Sequence, residues 1–200
     1  DADPRFLPTP GMYSYLGVAL ARTGDLDGAI DANLAVLQRQ PTNIGAMRNL
    51  MLLYRDKGEP AEGIPWAEQA ISLTPADRPD ELAPLYELAG QLYQAVGLVE
   101  PAINALEQVR AIVPTDINTL RNLSSLYNAQ ENDAKVLELA QALMQLEPGN
   151  FEHPLSAALA LRRLGEEASA LDYANQALTL APEAERQEVV ELIEALNGGA

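Results

Sequence analysis

The 200-residue sequence lacks cysteine, contains one histidine, and has aromatic residues at only 5% of its positions. A chain without cysteine has no disulfide, no thiolate zinc site and no cysteine nucleophile. The single histidine, His153, cannot form a zinc site alone, and we expect it to have a surface or helix-start role. The sequence also lacks a phosphate-binding glycine loop. We therefore expect no enzyme activity, no cofactor and no metal site.

Basic residues are also scarce: there are 13 lysines and arginines against 29 aspartates and glutamates, a formal net charge of −16. Such a surface repels nucleic acid and anionic membranes, so neither is an expected partner. No run reaches the roughly 18 apolar residues needed to cross a bilayer, so direct membrane insertion is not expected. The arginine-rich basic set, 11 arginines to 2 lysines, is typical of GC-rich bacteria. Cytoplasm and periplasm both stay open, because a cysteine-free chain suits either.

Alanine and leucine dominate the 48% apolar fraction, which predicts closely packed helices and an all-α fold. Prolines divide these helices into repeats at Pro41, Pro75, Pro114, Pro148 and Pro182, spaced 34, 39, 34 and 34 residues apart. A glycine stands 17 residues before the proline at Gly24, Gly58, Gly97 and Gly165. This predicts a left-handed turn residue between two antiparallel helices. The fourth repeat has Glu131 instead, and there we expect Asn132 to take that conformation.

Within the repeats, the same residue types return at the same places. The first repeat has Tyr13, Leu16, Gly17, Leu20, Ala29 and Pro41; the third has Tyr86, Ala89, Gly90, Tyr93, Ala102 and Pro114. This pattern resembles the tetratricopeptide repeat (TPR) over about residues 10–182. Asn33 and Val36 depart from it, and so does Met51, whose bulk predicts a more open junction. The resemblance implies a right-handed superhelical solenoid of antiparallel helix pairs.

We expect these boundaries: an arm or linker over 1–9, repeats over 10–43, 44–77, 83–116, 117–150 and 151–182, a capping helix over 183–197 and a tail over 198–200. Five extra residues fall within the segment ADRPDEL and lengthen a loop or add a turn to the next helix, with Pro79 as its first residue. Pro65 predicts a kink in its helix, and Trp66 beside it is expected to pack on the flank of the core.

The resemblance further implies a concave groove lined by the first helix of each repeat, where a peptide would bind. Our candidate groove residues are Arg48, Asn49, Arg55, Gln91, Arg121, Asn122, Asn128 and Arg162. The expected groove positions contain 6 of the 13 basic residues and only 3 of the 29 acidic ones. Arg22, Arg55, Arg162 and Arg163 lie near predicted helix ends, where a cation complements the helix dipole without a ligand.

Arg48 and Arg121 differ from the other arginines because each lies in the body of a helix and begins the sequence RNL. Their guanidinium groups are suited to bidentate bonds with a carboxylate, and Asn49 and Asn122 to the backbone of an extended peptide. Simple surface charge is the alternative. The chain lacks the two-lysine carboxylate clamp of the TPR proteins that bind chaperones, since only the asparagine matches.

These observations predict a scaffold that binds a protein or peptide of unknown identity, with an acidic or C-terminal segment as the expected ligand. Two alternatives stay open: a self-assembling structural module, which would form homo-oligomers, and an accessory domain of a larger enzyme or membrane-associated machine.

The sequence DLDG from Asp25 to Gly28 lacks the later ligands of a calcium loop. We expect Asp25 instead to cap the N-terminus of a helix.

Overall fold

The structure is a computed structural model that describes residues 9–198. In this range it consists of helices joined by short turns, without a strand, which confirms the all-α prediction. The helices are α1 Pro10–Thr23, α2 Leu26–Arg39, α3 Ile44–Lys57, α4 Pro60–Leu73, α5 Pro79–Ala95, α6 Val99–Ile112, α7 Ile117–Ala129, α8 Asp133–Leu146, α9 Glu152–Arg163, α10 Glu167–Leu180 and α11 Arg186–Gly198. Except for Thr9 and Gly198, the predicted arm and tail lie outside the described residues.

The helices form two compact units, which meet in the sequence between Val113 and Pro114. Unit 1 contains α1 to α6, and unit 2 contains α7 to α11. Within each unit, helices that follow one another in the chain pack together, for example α1 with α2, α2 with α3, α8 with α9 and α10 with α11. Packing between chain neighbours is typical of repeat proteins, because one helix pair cannot bury its apolar face alone.

The turn inside each helix pair has one recurring backbone conformation. Gly24, Gly58, Gly97 and Gly165 have φ angles of +83°, +80°, +78° and +80°, as predicted. Each donates its N–H to the carbonyl three residues earlier, and the next residue donates to the carbonyl five residues earlier. These two bonds satisfy carbonyls at the helix end that have no partner within the helix.

The prediction for the fourth of these turns is wrong. Glu131, not Asn132, is left-handed, with φ +56°, and it makes the same pair of backbone bonds, Glu131 N–H to Asn128 and Asn132 N–H to Tyr127. Asn132 has φ −85° and caps α8, where its side-chain oxygen accepts from the Lys135 N–H. The bond pattern fixes which position must be left-handed, and Asn132 is one residue too late.

Several helices begin with a side-chain cap. Asp25 accepts a bond of 2.9 Å from the Gly28 N–H, which confirms the capping role predicted for it. Asn43 and Asp116 cap α3 and α7 in the same way. A side-chain oxygen at this position satisfies one of the N–H groups that the first turn of a helix leaves unpaired.

The core of unit 1 is closed where the bulk of Met51 predicted a more open junction. Met51 is fully buried, and that prediction is wrong. Helix α4 approaches α3 closely at Gly63, where an added Cβ would lie 3.1 Å from the Leu92 methyl groups and 3.5 Å from the Met51 backbone carbonyl. In unit 2, α9 and α10 contribute fully buried alanines, among them Ala158, Ala170, Ala174 and Ala177.

The five extra residues add a turn to α5, which starts at Pro79 and has 17 residues against 14 in α3. Proline suits a first helical position because its missing N–H would have no partner there. Trp66 is partly buried against the core of unit 1, as predicted. Helix α4 continues through Pro65, and a kink at that residue stays a prediction.

Helix α11 starts at Arg186, three residues after the predicted start of the capping helix. Its apolar side is buried: Val189 is fully buried, and Leu192 and Leu196 are 6% exposed. The two leucines belong to a cluster with Ala170 and Ala174 of α10. Among residues 9–198, no helix combines the length and apolar character required to cross a membrane.

Candidate functional site

The structure distributes the eight predicted groove residues over both units. In unit 1, Arg48, Asn49 and Arg55 lie on α3 and Gln91 lies on α5; in unit 2, Arg121, Asn122 and Asn128 lie on α7 and Arg162 lies on α9. All eight are therefore on the first helix of a predicted repeat.

Arg55 links the first helices of unit 1. Its Nη1 donates to Gln91 Oε1 at 2.8 Å, which joins α3 to α5. Its Nε and Nη2 donate to Asp56 Oδ1 at 3.0 and 2.8 Å. Gln91 Nε2 lies 3.5 Å from Glu87 Oε1. The Arg55 charge is thus compensated by a neighbouring carboxylate, and its bond to Gln91 makes it a connector between helices.

Asn49 is oriented by a residue that our site prediction did not include. Its Nδ2 donates to Asn33 Oδ1 at 3.0 Å, and Asn33 Nδ2 donates to the Ala29 carbonyl at 2.8 Å. Asn33 is only 2% exposed. The signal in the sequence was its departure from the repeat pattern, because a buried amide needs hydrogen-bond partners. The Asn49 side chain makes no other hydrogen bond among the described residues.

Arg48 and Arg121, equivalent in sequence, have different surroundings. The Arg48 side chain is exposed and makes no hydrogen bond or ion pair to another described residue. Arg121 Nη2 donates to both oxygens of Glu147, at 2.9 and 2.8 Å. Glu147 follows the last residue of α8. An intramolecular carboxylate thus already occupies the group that we predicted would bind a ligand's carboxylate.

Of the two roles expected for His153, surface or helix start, the structure bears out the helix start, while the side chain is buried. His153 is the second residue of α9 and only 5% exposed. Its Nε2 lies 2.8 Å from Glu147 Oε2. The hydrogen bond from His153, together with the charge of Arg121, holds the pKa of Glu147 below its ordinary value. Glu147 therefore organises α7, α8 and α9 in unit 2.

A second polar cluster in unit 2 centres on Arg163, which we had explained by the helix dipole alone. Its Nε lies 2.6 Å from Asp133 Oδ1, and its Nη2 donates to Asn128 Oδ1 at 2.8 Å. Asp133 is 9% exposed. The bond to Arg163 thus engages the carbonyl of the predicted groove residue Asn128. Sequence spacing could not reveal this cluster, because Asp133 and Arg163, 30 residues apart, do not belong to the pattern that recurs between repeats.

The remaining candidates are free to contact a ligand. Arg48, Asn122 and Arg162 are exposed, and the side chain of each has no hydrogen bond or ion pair to another residue of the range 9–198. Guanidinium groups donate bidentate bonds to carboxylates, and an asparagine amide both donates to and accepts from a peptide backbone. These donors, with Asn49, are suited to binding a carboxylate-bearing peptide and include no nucleophile–base pair.

No protein-family model matches the sequence, and a search of curated proteins found no match. Solved structures do match. MamA superposes with a TM-score of 0.71 at 24% identity, over 90% of this chain and 94% of its own. YrrB, described as a TPR protein with an unusual peptide-binding site, gives a TM-score of 0.71 at 14% identity over 88% of each chain. MamA from Desulfovibrio magneticus RS-1 gives 0.67 at 15% identity, over 86% of this chain and 94% of its own.

Identities this low demonstrate a shared fold and nothing finer. They agree with the degenerate repeat in the sequence, in which a few positions per repeat are restricted and the rest vary freely. The chain therefore has the helical-repeat fold of the TPR proteins.

Proposed function

We propose that the chain is a protein-interaction scaffold, without enzymatic activity of its own, whose first helices bind an acidic segment of a partner protein. The observation that carries the proposal is the set of exposed, unpaired donors, Arg48, Asn122 and Arg162, on a chain with a net charge of −16. In so acidic a protein, unpaired arginines on the first helices favour an anionic ligand. The peptide-binding site named for YrrB supports the same reading by analogy.

The test uses a random dodecapeptide library displayed on phage and selected against this 200-residue protein. The recovered peptides are synthesised with a fluorescein label, and their affinity is measured by anisotropy at about 50 mM and about 300 mM salt, since charge contacts at the surface weaken as salt rises. We expect peptides enriched in Asp and Glu, with affinity that falls at the higher salt. Recovery of neutral or basic peptides only would contradict an acidic ligand.

Two double variants with the same change in charge identify the site. Arg48→Glu with Arg162→Glu should weaken binding at least tenfold. The control, Arg78→Glu with Arg186→Glu, changes two exposed arginines that are not groove candidates and should leave the affinity within twofold. Arg121 is left intact, because its pair with Glu147 joins α7 to the end of α8, whereas Arg78 and Arg186 pair only with exposed glutamates three residues away, Glu81 and Glu183. Equal loss in the two double variants would mean that net charge, not these positions, governs binding.

A second candidate function, self-assembly, is favoured by the exposed apolar residues of α1. Met12, Tyr15, Leu16 and Val18 are 59%, 82%, 47% and 46% exposed. The residues equivalent to Leu16 in the later repeats, Leu50, Ala89, Leu123 and Ala157, are at most 1% exposed. In an otherwise acidic chain, α1 contains no acidic residue. Two copies could therefore approach through this face without bringing acidic residues of α1 together.

Sedimentation velocity over a concentration series tests this candidate. Self-assembly predicts a sedimentation coefficient that rises with concentration in the wild type and stays at the monomer value in Leu16→Glu. Arg186→Glu, an exposed change that also adds negative charge, is the control and should behave as the wild type. A wild type that is monomeric at all concentrations would remove this candidate and leave the peptide-binding proposal standing.

A further inference from the structure

A buried amide in unit 1 breaks the pattern of the repeats. Asn33 occupies a position whose equivalents in the other four repeats are Ala67, Leu106, Ala140 and Ala174, all at most 1% exposed. Burial of an amide is unfavourable unless its polar atoms are bonded. Here one N–H is bonded to the Ala29 carbonyl and the oxygen to Asn49. The polar residue is thus accommodated at a position where apolar residues suffice for the fold.

The neighbouring glycine gives this amide its space. A Cβ added at Gly17 would lie 2.8 Å from Asn33 Nδ2, closer than such atoms approach in real structures. The lack of a side chain at position 17 therefore lets α1 pass directly over the amide. Gly17 and Asn33 together form the floor of a cavity.

That cavity has a volume of about 300 Å³, at the lower end of the range for ligand pockets, and α1, α2 and α3 form it. Aliphatic side chains make up much of the wall: Val18, Ala21, Leu52 and Leu53. Asn49 also lines it and presents a carbonyl and one N–H that are free among the described residues. An apolar wall with one oriented amide suits an aliphatic side chain whose backbone is held by hydrogen bonds.

The rim of the cavity has one uncompensated charge. Asp56 lines the cavity, but its carboxylate is paired with Arg55 at 2.8 Å. Arg22 also lines it, is exposed, and makes no ion pair within residues 9–198. An unpaired guanidinium at the edge of an apolar cavity attracts a carboxylate.

We infer that this cavity binds an aliphatic side chain of an extended peptide segment, next to a carboxylate that Arg22 holds. Asn33 is a positioning residue, because it orients the Asn49 amide that bonds the peptide backbone. The inference rests on the proposed peptide-binding function and makes it specific, since it names the side chain that the ligand must contain.

The peptides selected from the dodecapeptide library test the inference directly. We expect them to share an aliphatic residue next to Asp or Glu, and replacement of that residue by serine to weaken binding at least tenfold. Each peptide is also made truncated after the aliphatic residue, with either a free or an amidated C-terminus. Binding of the free acid alone would identify a terminal carboxylate as the ligand of Arg22, and retention only in the full peptide an acidic side chain.

A variant that fills the cavity locates this contact. Val18→Phe should reduce affinity at least tenfold, because Val18 is a wall residue. Val99→Phe is the matched control: Val99 is a partly exposed valine on α6 that does not line this cavity, and its replacement should leave affinity within twofold. Thermal unfolding of both variants verifies that they fold.

A double-mutant cycle tests the positioning role of Asn33. Asn33→Ala introduces the residue that three other repeats contain at this place, so the fold should be retained. If Asn33 acts through Asn49, then Asn33→Ala, Asn49→Ala and the double variant all weaken binding by a similar factor. A purely structural Asn33 would lower the unfolding temperature and leave the affinity unchanged, which would overturn this assignment.

Different results would contradict the cavity inference and the scaffold proposal. Peptides that bind and respond to Arg48→Glu with Arg162→Glu, but not to Val18→Phe, would overturn the cavity and leave the scaffold proposal intact. A library that yields no peptide above a selection without protein would overturn both.

Discussion

Glu131 has a backbone conformation that glycine adopts at each of the four equivalent turns, with φ +56° against +78° to +83° at the glycines. A left-handed conformation costs an L-residue roughly 1–2 kcal/mol, through repulsion between its Cβ and the following carbonyl oxygen. Glycine avoids this repulsion but loses about 0.4–1 kcal/mol more conformational entropy on folding. We therefore expect Glu131→Gly to stabilise the protein by about 0.5–1 kcal/mol.

The assay is urea unfolding followed by circular dichroism. If the dependence of the unfolding free energy on urea concentration is the same in all variants, a shift in midpoint measures a change in stability. In thermal unfolding the same change should raise the midpoint by about 1–4 °C, since 1 kcal/mol corresponds to about 2–4 °C in a chain of this size. Glu131→Ala retains a Cβ and should change stability little. Glu131→Gln removes the charge and retains the Cβ, so it separates the effect of the charge on stability from the effect of the backbone conformation.

Gly165→Ala in the same unit supplies the opposite change. A Cβ added there meets no atom within 4 Å, so its cost comes from the backbone alone. We expect it to destabilise the protein by about 0.5–1 kcal/mol. A Glu131→Gly protein that is less stable than the wild type, or a Glu131→Ala protein that gains as much as Glu131→Gly, would refute the strain argument.

Three further predictions follow from single contacts. The pKa of Glu147 is lowered by its bond from His153; the stability this contributes is present above the ordinary pKa of 4.5 and is lost as pH falls through the lower folded value. The stability difference from Glu147→Gln should therefore shrink below about pH 4.5 in urea unfolding. Asp25→Ala should cost about 1 kcal/mol through loss of the α2 cap, whereas Glu166→Ala, at a cap position without a side-chain bond, should change stability by under about 0.5 kcal/mol. Gly17→Ala should destabilise by about 1–3 kcal/mol, because the added methyl group meets the buried amide beneath it.

Much of the fold could be predicted from the sequence because it depends on local chemistry. The left-handed turns at Gly24 and its equivalents, the cap at Asp25 and the first helical position of Pro79 each follow from the backbone preferences of one residue type. The prediction failed at Glu131. There the backbone bonds from the turn to the end of α7 outweigh the preference of Asn132 for the left-handed conformation. Met51 was misjudged for a similar reason, since the burial of its side chain depends on how neighbouring helices pack and not on its bulk alone.

The candidate site could be predicted only as a set of residue types on first helices. The sequence showed that Arg48 and Arg121 are equivalent, but not that Glu147 pairs with one and leaves the other exposed. It showed that Asn33 departs from the repeat, but not that its amide orients Asn49 above a cavity.

The sequence by itself determined the helical class, the repeat period, the turns and the acidic character, because each depends on composition or on a residue type that returns at the same place in each repeat. The tertiary structure decided which charges are already paired, which positions are buried and where a cavity forms. Those properties depend on side chains that packing brings together from separate helices, such as Arg163 with Asp133. No spacing rule along the chain specifies such pairs, so only the folded arrangement reveals them.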